Sequence, residues 1–391
     1  MRSKEELLSL VPFAPKWIID WKKIEISGIS NFVQEMRKTQ QNPAWHGEGD
    51  VWTHTKMVCE ELVKMEKFRE AQRRIQEELF MAALLHDIGK IPCTKMEEGV
   101  WKSPNHTSTG AKMAREFLWK EYGFCGTKEE QNFRETICNL IRYHSVPPHI
   151  LENKNPEHRL RKIMANGELA PDFSIKYLCL LEEADMKGRI TDSMEESVEL
   201  IHMCEELAKE AECYQYQKLF PNDYSEHMYL KGKNILPGQE LFDDTWGEVI
   251  LLSGLPGTGK DTWIIKHYTD MPVISLDVLR KQMNISPNDK ENQGKVINAA
   301  KELAKEYLRG KKSFVWNATN LTFATREKLY RLFTDYNASV RIVYLETGWQ
   351  EELRRNKNRK DAVPEQVISR MLGSLVLPER YEAHQVEWHC V

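Results

Sequence analysis

The sequence predicts a multidomain chain, an all-α domain followed by an α/β domain with a parallel sheet. Apolar residues recur at helical spacing up to about residue 230, with few strand signals. After Gly232, short β-branched runs alternate with helical segments. Between the two patterns, Pro237-Gly238 and Asp243-Asp244 read as a linker. The expected division is a helical extension over 1–45, an all-α domain over 46–235, a linker over 236–247 and an α/β domain over 248–391.

In the helical half, Val58 to Met65, Ile137 to Ile141 and Ile175 to Ala184 carry apolar residues at helical spacing. Phe80 to Leu85 leads into His86-Asp87, and Ser193 to Cys213 reads as a long amphipathic helix. In the other half, Glu248 to Ser253 reads as a buried strand that flows into a glycine loop. Pro272 to Leu276, Ser313 to Trp316 and Val340 to Leu345 supply three more strands. Helical segments such as Gly294 to Leu308 and Thr325 to Phe333 lie between them, which implies a sheet covered on both faces.

The chain of 391 residues is long enough for two or three cores. Its 55 Lys and Arg against 59 Asp and Glu exclude a chain-wide basic footprint, so any nucleic-acid contact is local. No apolar run reaches bilayer length, and Met1 to Leu10 is too charged for a signal peptide. The eight cysteines are scattered and none forms a Cys-x-x-Cys pair. The expectation is a cytoplasmic protein with free thiols and no membrane partner.

His86 and Asp87 sit at the end of a helical run, where both can reach a metal. His54, His106, His144 and Asp185 are further candidates. Imidazole and carboxylate ligands suit divalent transition metals, and this set can hold one or two ions with Asp87 as the bridge. Two such ions activate a water and clamp phosphate oxygens. Lys90 and Arg189 are placed to hold a substrate phosphate. Glu48 is assigned a supporting position behind the ligands, and His46, His149, His158 and His202 are set outside the ligand set. His54, His86-Asp87 and Asp185 together resemble the H…HD…D pattern of the HD phosphohydrolase superfamily, and His106 and His144 resemble its two-metal members. The stretch His46 to His54 also resembles the opening of the HD module of bacterial tRNA nucleotidyltransferases. The resemblance implies a helical metal-dependent phosphomonoesterase or phosphodiesterase.

Gly254-Leu255-Pro256-Gly257-Thr258-Gly259-Lys260 follows a strand and precedes a helix, the context of a P-loop. Its backbone N–H groups bind nucleotide phosphates, and Lys260 adds charge where it develops. Gly254, Gly257, Thr258, Gly259, Lys260, Asp261 and Thr262 form the expected nucleotide site. The Ser or Thr that normally follows the lysine and holds Mg²⁺ is Asp261 here. It either caps the helix or ligates Mg²⁺, and Thr262 is an alternative ligand. Asp277, at the end of the second strand, can take the proton from an attacking hydroxyl. Arg280, one turn on, can bind an acceptor phosphate. Arg355 and Arg359 fall at i and i+4, on one face of a helix that stops before Pro364, as a lid over the triphosphate. These elements resemble the kinase domain of phage polynucleotide kinase over 248–385. Asn317 to Asn320 lacks the usual carboxylate at the end of the third strand, and Arg326 just beyond is a candidate substrate contact.

The two halves together resemble bacterial bifunctional HD-type polynucleotide kinase-phosphatases. The resemblance implies healing of RNA or DNA ends. One half would use ATP or another NTP with Mg²⁺ to phosphorylate a 5′-hydroxyl. The other would hydrolyse 2′,3′-cyclic, 2′- or 3′-phosphate ends, leaving termini for a ligase. The alternatives are a nucleotide phosphohydrolase fused to a small-molecule kinase, and a nucleotide-responsive regulator.

Overall fold

The computed structural model describes residues 2–217, 219–359 and 361–391. The chain forms two compact units, Met1–Lys218 and Leu219–Val391.

The first unit opens with three short helices, α1 (Lys4–Leu8), α2 (Trp21–Ile26) and α3 (Ser30–Met36). None is long enough to be stable alone. Leu7, Ile24, Val33 and Met36 are buried in the same core as Val58, Leu84 and Ile137. The first 45 residues are therefore part of the helical unit and not an extension beside it. Helix α4 (Val51–Lys64) starts at Asp50, whose carboxylate accepts the N–H of Trp52 and Thr53 at 2.9 and 3.0 Å. A single turn, α5 (Glu66–Arg69), leads into α6 (Arg73–Leu85), which is buried without a break from Glu78 onward. After the short α7 (Lys90–Cys93) comes an antiparallel hairpin, β1 (Lys95–Glu97) with β2 (Val100–Lys102). The remaining helices are α8 (His106–Lys120), α9 (Lys128–Tyr143), α10 (Pro156–Met164), α11 (Ile175–Lys187) and α12 (Met194–Glu210). A buried ion pair fastens α8 to α9: Arg115 Nε and Nη2 donate to Glu135 at 2.8 and 2.6 Å. A Thr127 capping box starts α9, and Ser174 caps α11.

The second unit begins with α13 (Asp223–Leu230) and then alternates strands and helices. They are β3 (Glu248–Ser253), α14 (Lys260–His267), β4 (Val273–Ser275), α15 (Leu276–Gln282), α16 (Gln293–Arg309), β5 (Phe314–Asn317), α17 (Phe323–Thr334), β6 (Ser339–Glu346), α18 (Trp349–Lys357), α19 (Glu365–Ser374) and β7 (Gln385–Cys390). All five strands are parallel, in the order β4-β5-β3-β6-β7. The first strand is central, and Val249 to Ser253 are all buried, as its unbroken apolar run requires. Strand β7 is a fifth strand beyond the four expected. Its half-polar Gln385-Val386-Glu387-Trp388 pattern suits an edge, where one flank faces solvent.

The expected boundary is corrected by helix α13. His227 Nε2 lies 2.7 Å from Tyr330 Oη, and Lys231 pairs with Glu327 at 2.9 Å. Arg380 pairs with Glu226 at 2.8 Å. All three contacts tie α13 to the sheet unit, so 236–247 lies inside that unit and does not precede it.

His384 is buried and its Nδ1 accepts the N–H of Val340 in β6 at 3.0 Å, so the ring is neutral in the fold. Burial pushes it down to about 4, and burial followed by His384 lowers His227 well below its usual range. Both rings take up protons on unfolding as pH falls below the ordinary histidine value, so stability is full above about pH 6.5 and falls as pH drops, for His384 down to about 4. The slope for each approaches about 1.4 kcal/mol per pH unit. Denaturant unfolding of this unit at pH 7, 6 and 5 tests this, with His384→Asn expected to flatten the dependence. A midpoint independent of pH would contradict it.

Candidate active sites

In the first unit the fold gathers helix ends. His86 is the C-cap of α6 and His144 the C-cap of α9. His106 opens α8, Asp185 lies in the last turn of α11, and His54 lies in the first turn of α4. Gly89 makes the approach possible, since a Cβ there would sit 2.0 Å from the His106 carbonyl oxygen. All six predicted ligands come together. His54, His86 and Asp87 form one triad, Asp87, His106 and His144 another, and in each the ligand atoms lie within 4.8 Å of one another. Asp185 Oδ1 is 2.8 Å from His54 Nε2.

The histidines are held from behind. Nδ1 of His86, His106 and His144 lies 2.8, 2.9 and 2.8 Å from the carbonyls of Ala83, Ser103 and Ile141. Nδ1 of His54 lies 2.9 Å from Glu48. In each case Nε2 is the nitrogen left to face Asp87. Burial and the neighbouring His86 push His144 down to about 3, and burial lowers His106. Both rings are thus neutral at ordinary pH. Burial opposes charge on His54, but Asp185 and Glu48 outweigh it and raise the ring. Asp87 is buried, and neither of its oxygens accepts a well-directed hydrogen bond, although Lys90 Nζ is 2.7 Å from Oδ2. Burial opposes its charge, and Lys90 and His86 more than offset that, holding it well below the carboxylate range. Orphaned carboxylate oxygens among imidazoles are the donor set of a divalent transition metal, and the residues fit one.

Other predicted residues are placed differently. Lys90 lines the cavity but is engaged with Asp87 and with Gln41 Oε1 at 2.7 Å. Arg189 also lines it, and its guanidinium holds Asp185 as an ion pair. Both orient carboxylates first. Glu48 supports His54 as expected and also His46, whose Nδ1 is 2.8 Å away. His46, set aside in the sequence, faces the cavity with Nε2 3.4 Å from Lys90. Its signal was the His46-x-Glu48 spacing, which lets one carboxylate serve two rings. Glu182, one turn before Asp185, is buried with neither oxygen hydrogen-bonded. Burial and then Asp185 push its carboxyl well above the usual range. His149 is exposed and paired with Glu152, away from the cluster.

In the second unit, the loop between β3 and α14 has Gly254, Gly257 and Gly259 at φ +149°, +92° and +86°. A Cβ on Gly254 would meet the Leu345 carbonyl oxygen at 2.4 Å, so the loop closes against β6 only with glycine there. Lys260 Nζ donates to the Gly254 and Leu255 carbonyls at 2.9 and 2.7 Å, and burial lowers it to about 8. Thr258 Oγ1 donates to the Leu255 carbonyl at 2.9 Å, which leaves its hydroxyl to shape the loop. Asp261 does not cap α14. It accepts from Asn317 Nδ2 at 2.6 Å, at the end of β5. The carboxylate missing from that strand end is thus supplied by the P-loop helix. Thr262 is exposed.

Asp277 Oδ1 is 2.5 Å from Arg280 Nη1, and Arg359 Nη2 is 3.7 Å from Oδ2. Arg280 Nε also donates to Gln293 at 2.8 Å. Arg355 overhangs the loop, with Nη1 3.6 Å from where a Gly259 Cβ would lie. Helix α18 ends at Lys357, so Arg359 is not on one helical face with Arg355. The chain turns there, sending one arginine to the loop and the other to Asp277. Arg326 is corrected outright. It is fully buried, bound to Glu382 at 2.6 and 2.8 Å and to the carbonyls of Asn320 and Val376, so four of its five N–H groups are taken inside the unit and none is exposed to a substrate.

Residues 51–171 match the HD domain family, and residues 249–378 match the AAA domain family. The chain therefore joins an HD phosphohydrolase-type domain to a P-loop, kinase-like domain. Over 149 residues it is 26% identical to heterogeneous nuclear ribonucleoprotein U-like protein 2 of Mus musculus, and likewise to that of Homo sapiens. Each match takes in 34% of this chain and 20% of the relative, so the chain spans about a fifth of those relatives' length. A crystal structure of a proposed kinase from Chloroflexus aurantiacus aligns with 38% of this chain and 86% of its own at 15% identity, with a TM-score of 0.33. Among the described residues, no helix is long and apolar enough to cross a membrane.

Asp87→Ala removes the group common to both triads. Bound divalent metal, counted by mass spectrometry after loading and desalting, is expected to fall to background. His149→Ala is expected to keep it. Wild-type metal content in Asp87→Ala would contradict the assignment.

Proposed function

We propose that this chain heals nucleic-acid ends, phosphorylating 5′-hydroxyls with an NTP and removing 2′,3′-cyclic, 2′- or 3′-phosphates. The observation that carries the reading is the Asp277–Arg280 pair beside Arg359. A carboxylate next to a guanidinium suits an acceptor that has both a hydroxyl and a phosphate, as a polynucleotide end does. The stretch shared with proteins named as ribonucleoproteins supports a nucleic-acid acceptor.

In the kinase unit the 5′-oxygen attacks the γ-phosphorus and its proton passes to Asp277. The bond from the γ-phosphorus to the bridging oxygen breaks and the nucleoside diphosphate leaves. Lys260, Arg355 and Arg359 offset the charge that builds on the transferring group. Asp261 is the residue that would hold Mg²⁺. In the HD unit, one or two divalent transition metals held by His54, His86, Asp87, His106, His144 and Asp185 would supply an activated water and a Lewis acid. Lys90 and Arg189 orient the carboxylates and present positive charge to the phosphate. Hydrolysis adds water to phosphorus and breaks one bond to a ribose oxygen, which leaves as a hydroxyl. A ligase then has the ends it requires, and the reading places the protein in the cytoplasm with RNA or DNA ends as partners.

Asp277→Ala should cost 5′-kinase activity on the order of 10²- to 10⁴-fold and spare cyclic-phosphate hydrolysis. Asp87→Ala should do the reverse. In a 5′-labelling assay, oligonucleotides and 3′-nucleotides should outcompete nucleosides, and Arg280→Ala should erase that preference. Equal use of nucleosides by the wild type would sink the role given to Arg280 and, with it, the polynucleotide reading.

A further inference from the structure

The cavity over the histidine cluster encloses about 270 Å³, and its lining runs from buried to exposed. His144 and Lys90 are buried, whereas Trp45 is 54% exposed and Trp101 is half-buried. Two indoles line one cavity with the imidazoles, and large aromatic side chains left in water mark binding surfaces when they share a site.

Neither indole belongs to the core of the unit. Trp101 stands on β2 of the hairpin, whose six strand residues include none that is buried. Such a two-stranded ribbon is marginal in water. It is held by its turn, where Glu98 and Gly99 both have positive φ as a type I′ turn demands, and by a 2.7 Å bond between Thr94 and Ser103. The ribbon therefore contributes no core. What it delivers is the Trp101 side chain to the cavity. Trp45 is presented by a tight turn in which the N–H groups of Trp45 and His46 both donate to the Asn42 carbonyl at 3.0 and 2.9 Å. The same turn that places His46 against Lys90 thus leaves the neighbouring indole outside.

We propose that Trp45 and Trp101 form a stacking site for the nucleobase of the nucleotide whose phosphate is hydrolysed. The phosphate would lie against Lys90, Arg189 and the imidazoles, and the base against the indoles. Every base has a π-face, so such a site selects nucleotides over base-free phosphate esters with little preference among bases. The proposal rests on the HD unit being a phosphoester hydrolase.

The test uses the full chain carrying Asp277→Ala and Arg280→Ala, which silences the kinase acceptor site. For Trp45→Ala and Trp101→Ala in that background, kcat/KM for adenosine 3′-phosphate relative to glycerol 2-phosphate is expected to fall roughly 5- to 150-fold. Trp→Phe at either position is expected to restore most of the ratio. A ratio that stays at the starting value, whether both substrates fall together or neither falls, overturns the stacking site. Should the unmodified HD unit hydrolyse neither substrate, the hydrolase reading fails on its own. Calorimetric titration with adenosine 3′-phosphate then decides: weaker binding by the double Trp→Ala variant, restored by Phe, upholds the stacking site, and equal binding overturns it.

Discussion

The helical unit is organised around one buried carboxylate. Asp87 has no well-directed hydrogen bond to its oxygens, and it is surrounded by Nε2 atoms whose rings are fixed through Nδ1. A bare carboxylate in such a place is costly. The Lys90 ammonium offsets part of that cost, and a divalent cation would offset the rest. The ends of α4, α6, α8, α9 and α11 must therefore arrive at one point. Gly89 at the crossing with α8 and the Arg115–Glu135 pair between α8 and α9 serve that convergence.

The P-loop unit answers a related demand with backbone instead of side chains. Three glycines in left-handed conformations bend the chain so that it lies against β6 and opens into α14. Charge is then added from separate places: Lys260 from the loop, Arg355 and Arg359 from the end of α18, and Asp261 joined to Asn317. Lys260 folds over the Gly254 and Leu255 carbonyls of its own loop, and Asp277 pairs with Arg280.

Most of this was legible in the sequence, and the reasons it was or was not are local. The His-Asp pair and the glycine loop are short, and their spacing reports geometry directly, so the six candidate side chains that the helix ends gather, and the loop, could be named from the residues alone. Periodicity also located the four strands that are buried or end in a motif. It missed β7, because a half-polar edge strand looks like a loop. Arg326 looked like a substrate contact because it follows a strand end. Nothing near it in sequence announced Glu382, 56 positions away, as its partner. The paired arginines were read as one helical face because nothing in the residue types marks the end of α18 at Lys357. The first 45 residues and α13 depend on tertiary burial, which the sequence pattern does not assign to one core or the other.

Helix α13 bears on how the chain can be taken apart. The stretch rich in proline, glycine and aspartate at 236–247 looks like the natural place to cut, yet α13 upstream of it is a wall of the sheet unit. A fragment starting there would leave Tyr330 without His227, Glu327 without Lys231, and His384 without the Tyr224 and His227 rings. Its weak behaviour in isolation would reflect a missing wall and say nothing about the chemistry of its loop. The sheet unit begins near residue 219. The more conspicuous break downstream belongs to the interior of that folded unit.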